Sequence, residues 1–150
     1  SAVGRSYLQP GIEDVVFLTM EFASGTLAHV QMSWLDPHKE RRLTVVGSKQ
    51  MAVFNDMEPR EKLRLYDKGV DRPPDYGSYG ESLQIREGDI FIPRLSNAEP
   101  LGLELAHFLK VARREMPARS DAADGVRVVR VLAAADISLK QRGQPIGVQA

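Results

Sequence analysis

Ten residues, Ser33 to Arg42 (SWLDPHKERR), hold the only tryptophan of the chain, Trp34, then Pro37, then His38, Lys39, Glu40, Arg41 and Arg42 in succession. Arginine offers a planar fork of donors that matches carboxylate or phosphate oxygens, and lysine a compact positive charge, so this group could receive an anion. In an extended segment Lys39 and Arg41 point to one side and Arg42 to the other, so at most two of them share a ligand. The plainer reading is a solvated, charged strand end partly neutralised by Asp36 and Glu40. His38 follows proline in a turn, but a general base needs an orienting partner and a substrate within hydrogen-bond reach. Sequence displays neither.

Other chemistry is sparse. His29, His38 and His107 are far apart and lack zinc-ligand spacing. His29 falls on the polar side of its strand, as a surface or interface histidine or a ligand contact; His107 falls mid-helix, off the apolar stripe, and reads as a packed or exposed helical residue. There are no cysteines, hence no disulfide, thiolate metal site or cysteine nucleophile. No Gly-x-Gly-x-x-Gly, no Gly-rich loop ending in Lys-Ser/Thr and no nucleophile elbow occurs. The residues therefore nominate no catalytic, cofactor-binding or metal site. Residues 71–80, DRPPDYGSYG, mix Arg72, Tyr76 and Tyr79 with Gly and Pro; they suit a flap over a site, with Tyr79 a candidate contact, or a plain surface connection.

The elements that must carry these residues are strands first and helices last. Residues 14–22 alternate, with Val16, Leu18, Met20 and Phe22 on one face; ASGT makes a turn at Ser24-Gly25. The return strand, 26–35, sets Ala28, Val30, Met32 and Trp34 on the apolar face and His29, Gln31 and Ser33 on the other. A second hairpin is predicted from RRLTVVGS and KQMAVFND, turning near Gly47 to Lys49. A further strand follows at EKLRLYD, a loop at 68–80, and a strand at ESLQIREGD. From Asn97, a predicted N-cap, the period changes to a helix with Leu101, Leu105, Phe108, Leu109 and Ala112 on one stripe, ending at Met116-Pro117. A second helix begins at Asp121, where Asp124 completes a capping box with Asp in place of Glu, and presents Val128, Leu132, Ala135 and Leu139 before stopping at Gly143. PIGV is predicted as a short closing strand. The class is α+β: an open, mostly antiparallel β-sheet with two C-terminal amphipathic helices on one face, the other face free for oligomerisation.

Bulk properties suit one domain over 1–150. The chain is 43% apolar and 27% charged, with 20 basic against 20 acidic residues, and that balance argues against a nucleic-acid partner. No apolar run approaches the length of a membrane span, so the expectation is a cytoplasmic protein with no membrane partner. The opening SAVGRSYLQPGIEDVVF reads as if it followed a domain boundary.

Taken together, Glu13-Asp14, the apolar strand after it, Gly25 in the turn, Ser33-Trp34 at a strand end and Gly47-Ser48 resemble the glucose–fructose oxidoreductase / inositol dehydrogenase (Gfo/Idh/MocA) family. So does the tail, with its Glu99-Pro100-Leu101 helix and the run Gly125-x-x-Val128-x-x-x-Leu132-x-Ala134-Ala135-x-x-Ser138. The tail is nearest to sugar-nucleotide 3-dehydrogenases. The resemblance implies a C-terminal domain whose N-terminal Rossmann domain, carrying NAD or NADP and the catalytic Lys and His, is absent; no cofactor is then expected on this chain. It also implies substrate contacts at Lys39, Arg41, His38 and Tyr79 for a sugar or sugar nucleotide, and a homo-oligomer interface through His29, Gln31 and Ser33. The rival reading is a free-standing, non-catalytic α+β domain that binds a ligand or assembles through its bare sheet face.

Overall fold

The structure is a computed structural model that describes residues 1–71, 84–86, 88–96 and 98–148. Its strands are β1 (Ala2–Arg5), β2 (Val15–Glu21), β3 (Leu27–Ser33), β4 (Arg42–Val46), β5 (Met51–Asn55), β6 (Leu63–Tyr66), β7 (Gly69–Asp71), β8 (Gln84–Arg86) and β9 (Ile90–Phe91); two helices follow, α1 (Pro100–Ala112) and α2 (Ala122–Lys140). The class is α+β, as the sequence pattern requires. The chain forms two compact units, Ser1–Pro37 with Glu104–Ala150, and His38–Leu103.

The first unit is built on an antiparallel sheet in the order β1-β2-β3. The β2–β3 hairpin has Leu18 opposite Val30 and Thr19 opposite His29. Gly25 turns it at φ +81°, left-handed backbone that glycine enters without steric cost. Strand β1, which has no alternation long enough to announce it, pairs with β2 and sets Ala2 opposite Leu18. Asp14 ties the connection between these two strands. Its buried carboxylate accepts the Tyr7 N–H at 2.5 Å and the Leu8 N–H at 2.8 Å. Its own N–H donates to the Arg5 carbonyl, and its carbonyl accepts the Trp34 N–H, both at 2.8 Å. The Glu-Asp pair of the sequence pattern therefore has a structural reason: Asp14 holds loop, edge strand and hairpin together.

Period two divides the sheet. Ala2 and Leu18 are buried on one face, with Val16, Met20, Ala28 and Val30 half-buried beside them. Helix α2 contacts β1 on this side. Its inward stripe keeps Ala135 and Leu139 of the predicted set but not Val128 and Leu132. Ala134 and Ser138 are buried, with Val131, Ala135 and Leu139 half-buried, whereas Val128 and Leu132 are 60% and 55% exposed. Small side chains let the helix approach the strand closely: a Cβ on Gly4 would come within 3.0 Å of Leu139 Cδ2 and 2.8 Å of the Val15 carbonyl. Trp34, expected on the apolar face, lies beyond the end of β3 and is 86% exposed.

Helix ends follow local rules. At α2, Asp121 and Asp124 form the capping box, each carboxylate accepting the other's N–H at 3.0 Å. Asn97, the predicted N-cap of α1, lies outside the described residues; Glu99 accepts the N–H groups of Leu101, at 3.0 Å, and of Gly102. Both helices close in Schellman turns with arginine at the left-handed position: Arg114 at φ +61° and Arg142 at φ +57°. Gly143, the predicted stop, is the residue after that position; a Cβ there would meet Val3 Cγ1 at 2.7 Å. The stripe Leu101, Leu105, Phe108 and Leu109 of α1, expected to cover a sheet, is exposed, and α1 has no buried residue. The PIGV segment makes no strand: Pro145 has no N–H to give, and the carbonyl of Gln144 is taken by Ser138 Oγ at 2.7 Å.

In the second unit the ladder order is β4-β5-β6-β9, with β7-β8 a separate pair, all antiparallel. The β4–β5 hairpin turns at Gly47, whose N–H reaches the Gln50 carbonyl at 2.9 Å. Residues 69–71, assigned to a loop by sequence, form β7 instead; residues 72–80 lie outside the described residues. Strands β5 and β6 are half-buried, whereas β4 is exposed along its length. Among the described residues no helix is long and apolar enough to cross a membrane.

Replacing Asp14 by Ala strips an acceptor from two part-buried N–H groups, and a loss of about 1–3 kcal/mol in unfolding free energy is expected. Urea denaturation should show a lower midpoint with unchanged slope. An unmoved midpoint would remove Asp14 as the tie between these strands.

Candidate functional site

The stretch from Ser33 to Arg42 is not one cluster on one element. Ser33 ends β3 and its Oγ accepts the Leu35 N–H at 3.0 Å, turning the chain away from the sheet. Pro37 is the last residue of the first unit and His38 opens the second. Strand β4 begins only at Arg42, so the alternation that was to place Lys39 and Arg41 on one side does not operate there. His38 and Lys39 are exposed and have no hydrogen-bond or ion-pair partner among the described residues.

Arg41 is engaged. Its Nη1 lies 3.6 Å from Asp56 Oδ2, while Lys62 Nζ lies 3.2 Å from Asp56 Oδ1. The backbone repeats the link, with the Asp56 N–H donating to the Arg41 carbonyl at 2.9 Å. Neither Asp36 nor Glu40 neutralises the group; the acid that does is in the turn after β5, delivered by the register that sets Arg42 opposite Asn55. The Lys62 ammonium, by hydrogen bond and charge, and then the Arg41 guanidinium hold the Asp56 carboxyl below the ordinary aspartate range. Sequence reasoning missed Asp56 and Lys62, and only the hairpin register could have found them. This arrangement can present positive charge to an anion, from Lys39 freely and from Arg41 in part. Tyr79 lies outside the described residues.

His29, Gln31 and Ser33 share a face of the first sheet with Val3, Phe17 and Thr19, opposite the face that carries Leu18. His29 and Gln31 are exposed and Ser33 is half-buried. The His29 ring stacks against Phe17, centroids 6.3 Å apart with planes 16° apart, and its Nδ1 is 3.5 Å from Thr19 Oγ1. Such a surface, apolar patches among hydrogen-bonding tips, suits association better than acid–base work. His107 is half-buried and its Nε2 accepts the Arg119 N–H at 3.2 Å, which makes it a fastener of the chain after α1. No group of three metal-binding side chains occurs among the described residues.

Two of the cavities in the first unit border its sheet. One, of about 610 Å³, opens between β1 and the turn that ends α2 and includes Arg5 and Arg142; another, of about 520 Å³, lies between the β2–β3 hairpin and residues 145–148. Nothing local in the sequence joins Arg5 to Arg142. Only the packing of α2 on β1 does so.

Residues 1–53 match the family model described as the GFO/IDH/MocA C-terminal domain. No curated protein matches the sequence. Among solved structures, UDP-N-acetylglucosamine 3-dehydrogenase GnnA from Acidithiobacillus ferrooxidans is similar in fold, with a TM-score of 0.71 at 17% identity, covering 95% of this chain and 40% of that one. The α+β fold of that region is therefore shared almost from end to end, while this chain spans well under half the length of its structural relative.

Asp56 gives a pH test whose sign is set by its lowered folded pKa. The stability contributed by its ion pairs is present above the unfolded aspartate value of about 3.9 and is lost as pH falls through the folded one. Thermal melts of wild type and Asp56→Asn should differ slightly at neutral pH and converge in acid. A gap that persists at the acid end would mean that these pairs do not cause it.

Proposed function

We propose that this chain, whose residues 1–53 match a GFO/IDH/MocA C-terminal domain, is the C-terminal substrate-binding and assembly domain of an NAD(P)-dependent oxidoreductase acting on a sugar or sugar nucleotide. The observation that carries the reading is the fold shared over 95% of the chain with part of a longer sugar-nucleotide dehydrogenase. The reaction would be hydride transfer from a carbinol carbon to nicotinamide, with the cofactor performing the redox step and a Rossmann domain outside these residues supplying cofactor contacts and acid–base groups. NAD or NADP belongs to that domain, and residues 1–150 act as a single functional domain without activity of their own.

Within this reading Lys39, with Arg41, His38 and Tyr79, forms the wall that receives the anionic part of the substrate. The free cation at Lys39 supports this, and the Asp56 pair limits how far Arg41 can contribute. The bare sheet face bearing His29, Gln31 and Ser33 is the surface through which copies associate, in keeping with the preference of soluble enzymes for symmetric oligomers. Its uncovered Phe17 and Val3 favour that role. The full enzyme works in the cytoplasm on a soluble substrate.

Two measurements on the purified chain test this. Static light scattering over a concentration series should give a dimer or larger, and Gln31→Lys with Ser33→Glu should shift it toward monomer; a wild type that stays monomeric throughout would sink the assembly role and favour a free-standing binding module. Incubated with NAD+ or NADP+ and candidate sugars, the same chain should produce no reduced nicotinamide above a buffer control. Turnover by the chain alone would contradict the division of labour.

A further inference from the structure

We propose that the cleft between β1 and the turn ending α2 is a binding site for an oxyanion, a phosphate or carboxylate, carried on an aromatic or apolar body. The inference does not rest on the reading above, which gives these residues no ligand role; because Val3 and Phe17 belong to the sheet face to which that reading gives assembly, a second copy seated there and a ligand in the cleft would compete for them.

Arg5 and Arg142, both exposed, line the cleft, and neither has an ion-pair partner among the described residues. Its volume of about 610 Å³ lies within the usual range of small-molecule sites, about 300–1,000 Å³. Paired arginine forks are suited to sharing the oxygens of one phosphate or carboxylate. Beside them stand the apolar surfaces of Val3, Phe17 and Leu139 and the Tyr7 ring. Register puts Val3, Arg5 and Phe17 on the same face of the sheet, so the charged and apolar parts of a ligand would be met side by side. Phe17 is already stacked on His29, which steadies the ring as a platform.

Both arginines are held by backbone that has little freedom. Arg5 belongs to β1, opposite Val15, and its carbonyl accepts the Asp14 N–H at 2.8 Å. Its own Nη1 makes only a long contact, 3.4 Å, to the Gly4 carbonyl, which leaves the fork available. Arg142 occupies the left-handed position of the Schellman turn, where the chain leaves the helix axis. Its N–H donates to the Leu139 carbonyl at 3.1 Å and the next N–H, of Gly143, to the Ser138 carbonyl at 2.9 Å. Gly143 packs so closely on Val3 that no larger residue fits without displacement. Ser138 then fastens α2 to β1, its Oγ accepting the Ala2 N–H at 2.8 Å. The backbone segments that carry the two arginines are thus joined through Ser138, and less backbone ordering is needed when a ligand arrives. Two acids stand near this edge: the Glu13 Cγ would lie 3.0 Å from a Cβ on Gly4, and the Asp14 carboxylate accepts the Tyr7 N–H at 2.5 Å; Lys140 and Asp136 pair with one another at 2.7 Å.

The test uses the 15N-labelled chain titrated with phenyl phosphate, benzoate, inorganic phosphate and benzyl alcohol, followed by amide chemical shifts. Saturable shifts at Gly4, Arg5 and Gly143 are expected with phenyl phosphate or benzoate, the tighter of the two identifying the preferred acid. Arg5→Gln and Arg142→Gln should each weaken binding by about tenfold, as loss of a charge-assisted contact implies. Arg142→Lys should fall between, because it keeps charge and loses the fork. Lys110→Gln, an exposed cation on α1, should leave affinity unchanged, and the dispersed spectrum of each variant reports that it has folded. The proposal is overturned if those three amides do not shift, if both glutamine variants bind as wild type, if benzyl alcohol binds as tightly as phenyl phosphate, or if inorganic phosphate alone does.

Discussion

The hydroxyl of Ser138 joins three parts of the chain at one buried point: it accepts the Ala2 N–H, donates to the Gln144 carbonyl and lies on the inner face of α2. A buried hydroxyl without partners would oppose folding, but here its donor and acceptor capacity are both used. The consequences run outward. Edge strand β1 is fixed against α2, the turn after α2 is fixed against β1, and residues 145–148 are led back past Leu18. A serine can do this because it is small enough for the helix to sit close to the strand; Ala134 one turn earlier and Gly4 on the strand serve the same approach.

That joint is tight, yet the apolar core around it is narrow. Ala2, Leu18 and Ala134 are the buried apolar residues among those described, whereas Leu105, Phe108 and Leu109 of α1, Val128 and Leu132 of α2 and Leu43, Val45 and Val46 of β4 face outward. A chain of this size ordinarily buries about two-thirds of its unfolded surface, and exposed apolar areas of this extent mark contact surfaces. The apolar pattern of a helix states only that some partner must cover it, not which partner.

Much of the architecture was legible because it is local. Alternation located the two hairpins, and Gly25 and Gly47 their turns, since strand period and turn chemistry act within a few residues. The capping box at Asp121 and Asp124 was readable for the same reason. Strand β1 was not, being four residues long with a glycine inside it. The stripe of α2 that packs inward was legible in part: Ala135 and Leu139 turn inward as hydrophobicity favoured, whereas in place of Val128 and Leu132 geometry at the joint selected the small residues Ala134 and Ser138. For the candidate substrate contacts, the sequence could name Lys39 and Arg41 as cations and could not find Asp56, because an ion pair between two hairpin ends is a matter of register.

By itself, then, the sequence determined the α+β class, the order of strands before helices, the principal turns and caps, and the presence of a cationic stretch after Trp34. These depend on period, side-chain size and backbone preference over short distances. Tertiary structure alone decided that Trp34 is bare, that Arg41 is spoken for by Asp56, and that Arg5 and Arg142, at opposite ends of the chain, line one cleft. Those outcomes require the long-range docking of helix on edge strand and of strand on strand, where close approach and hydrogen-bond satisfaction outweigh what any residue prefers locally.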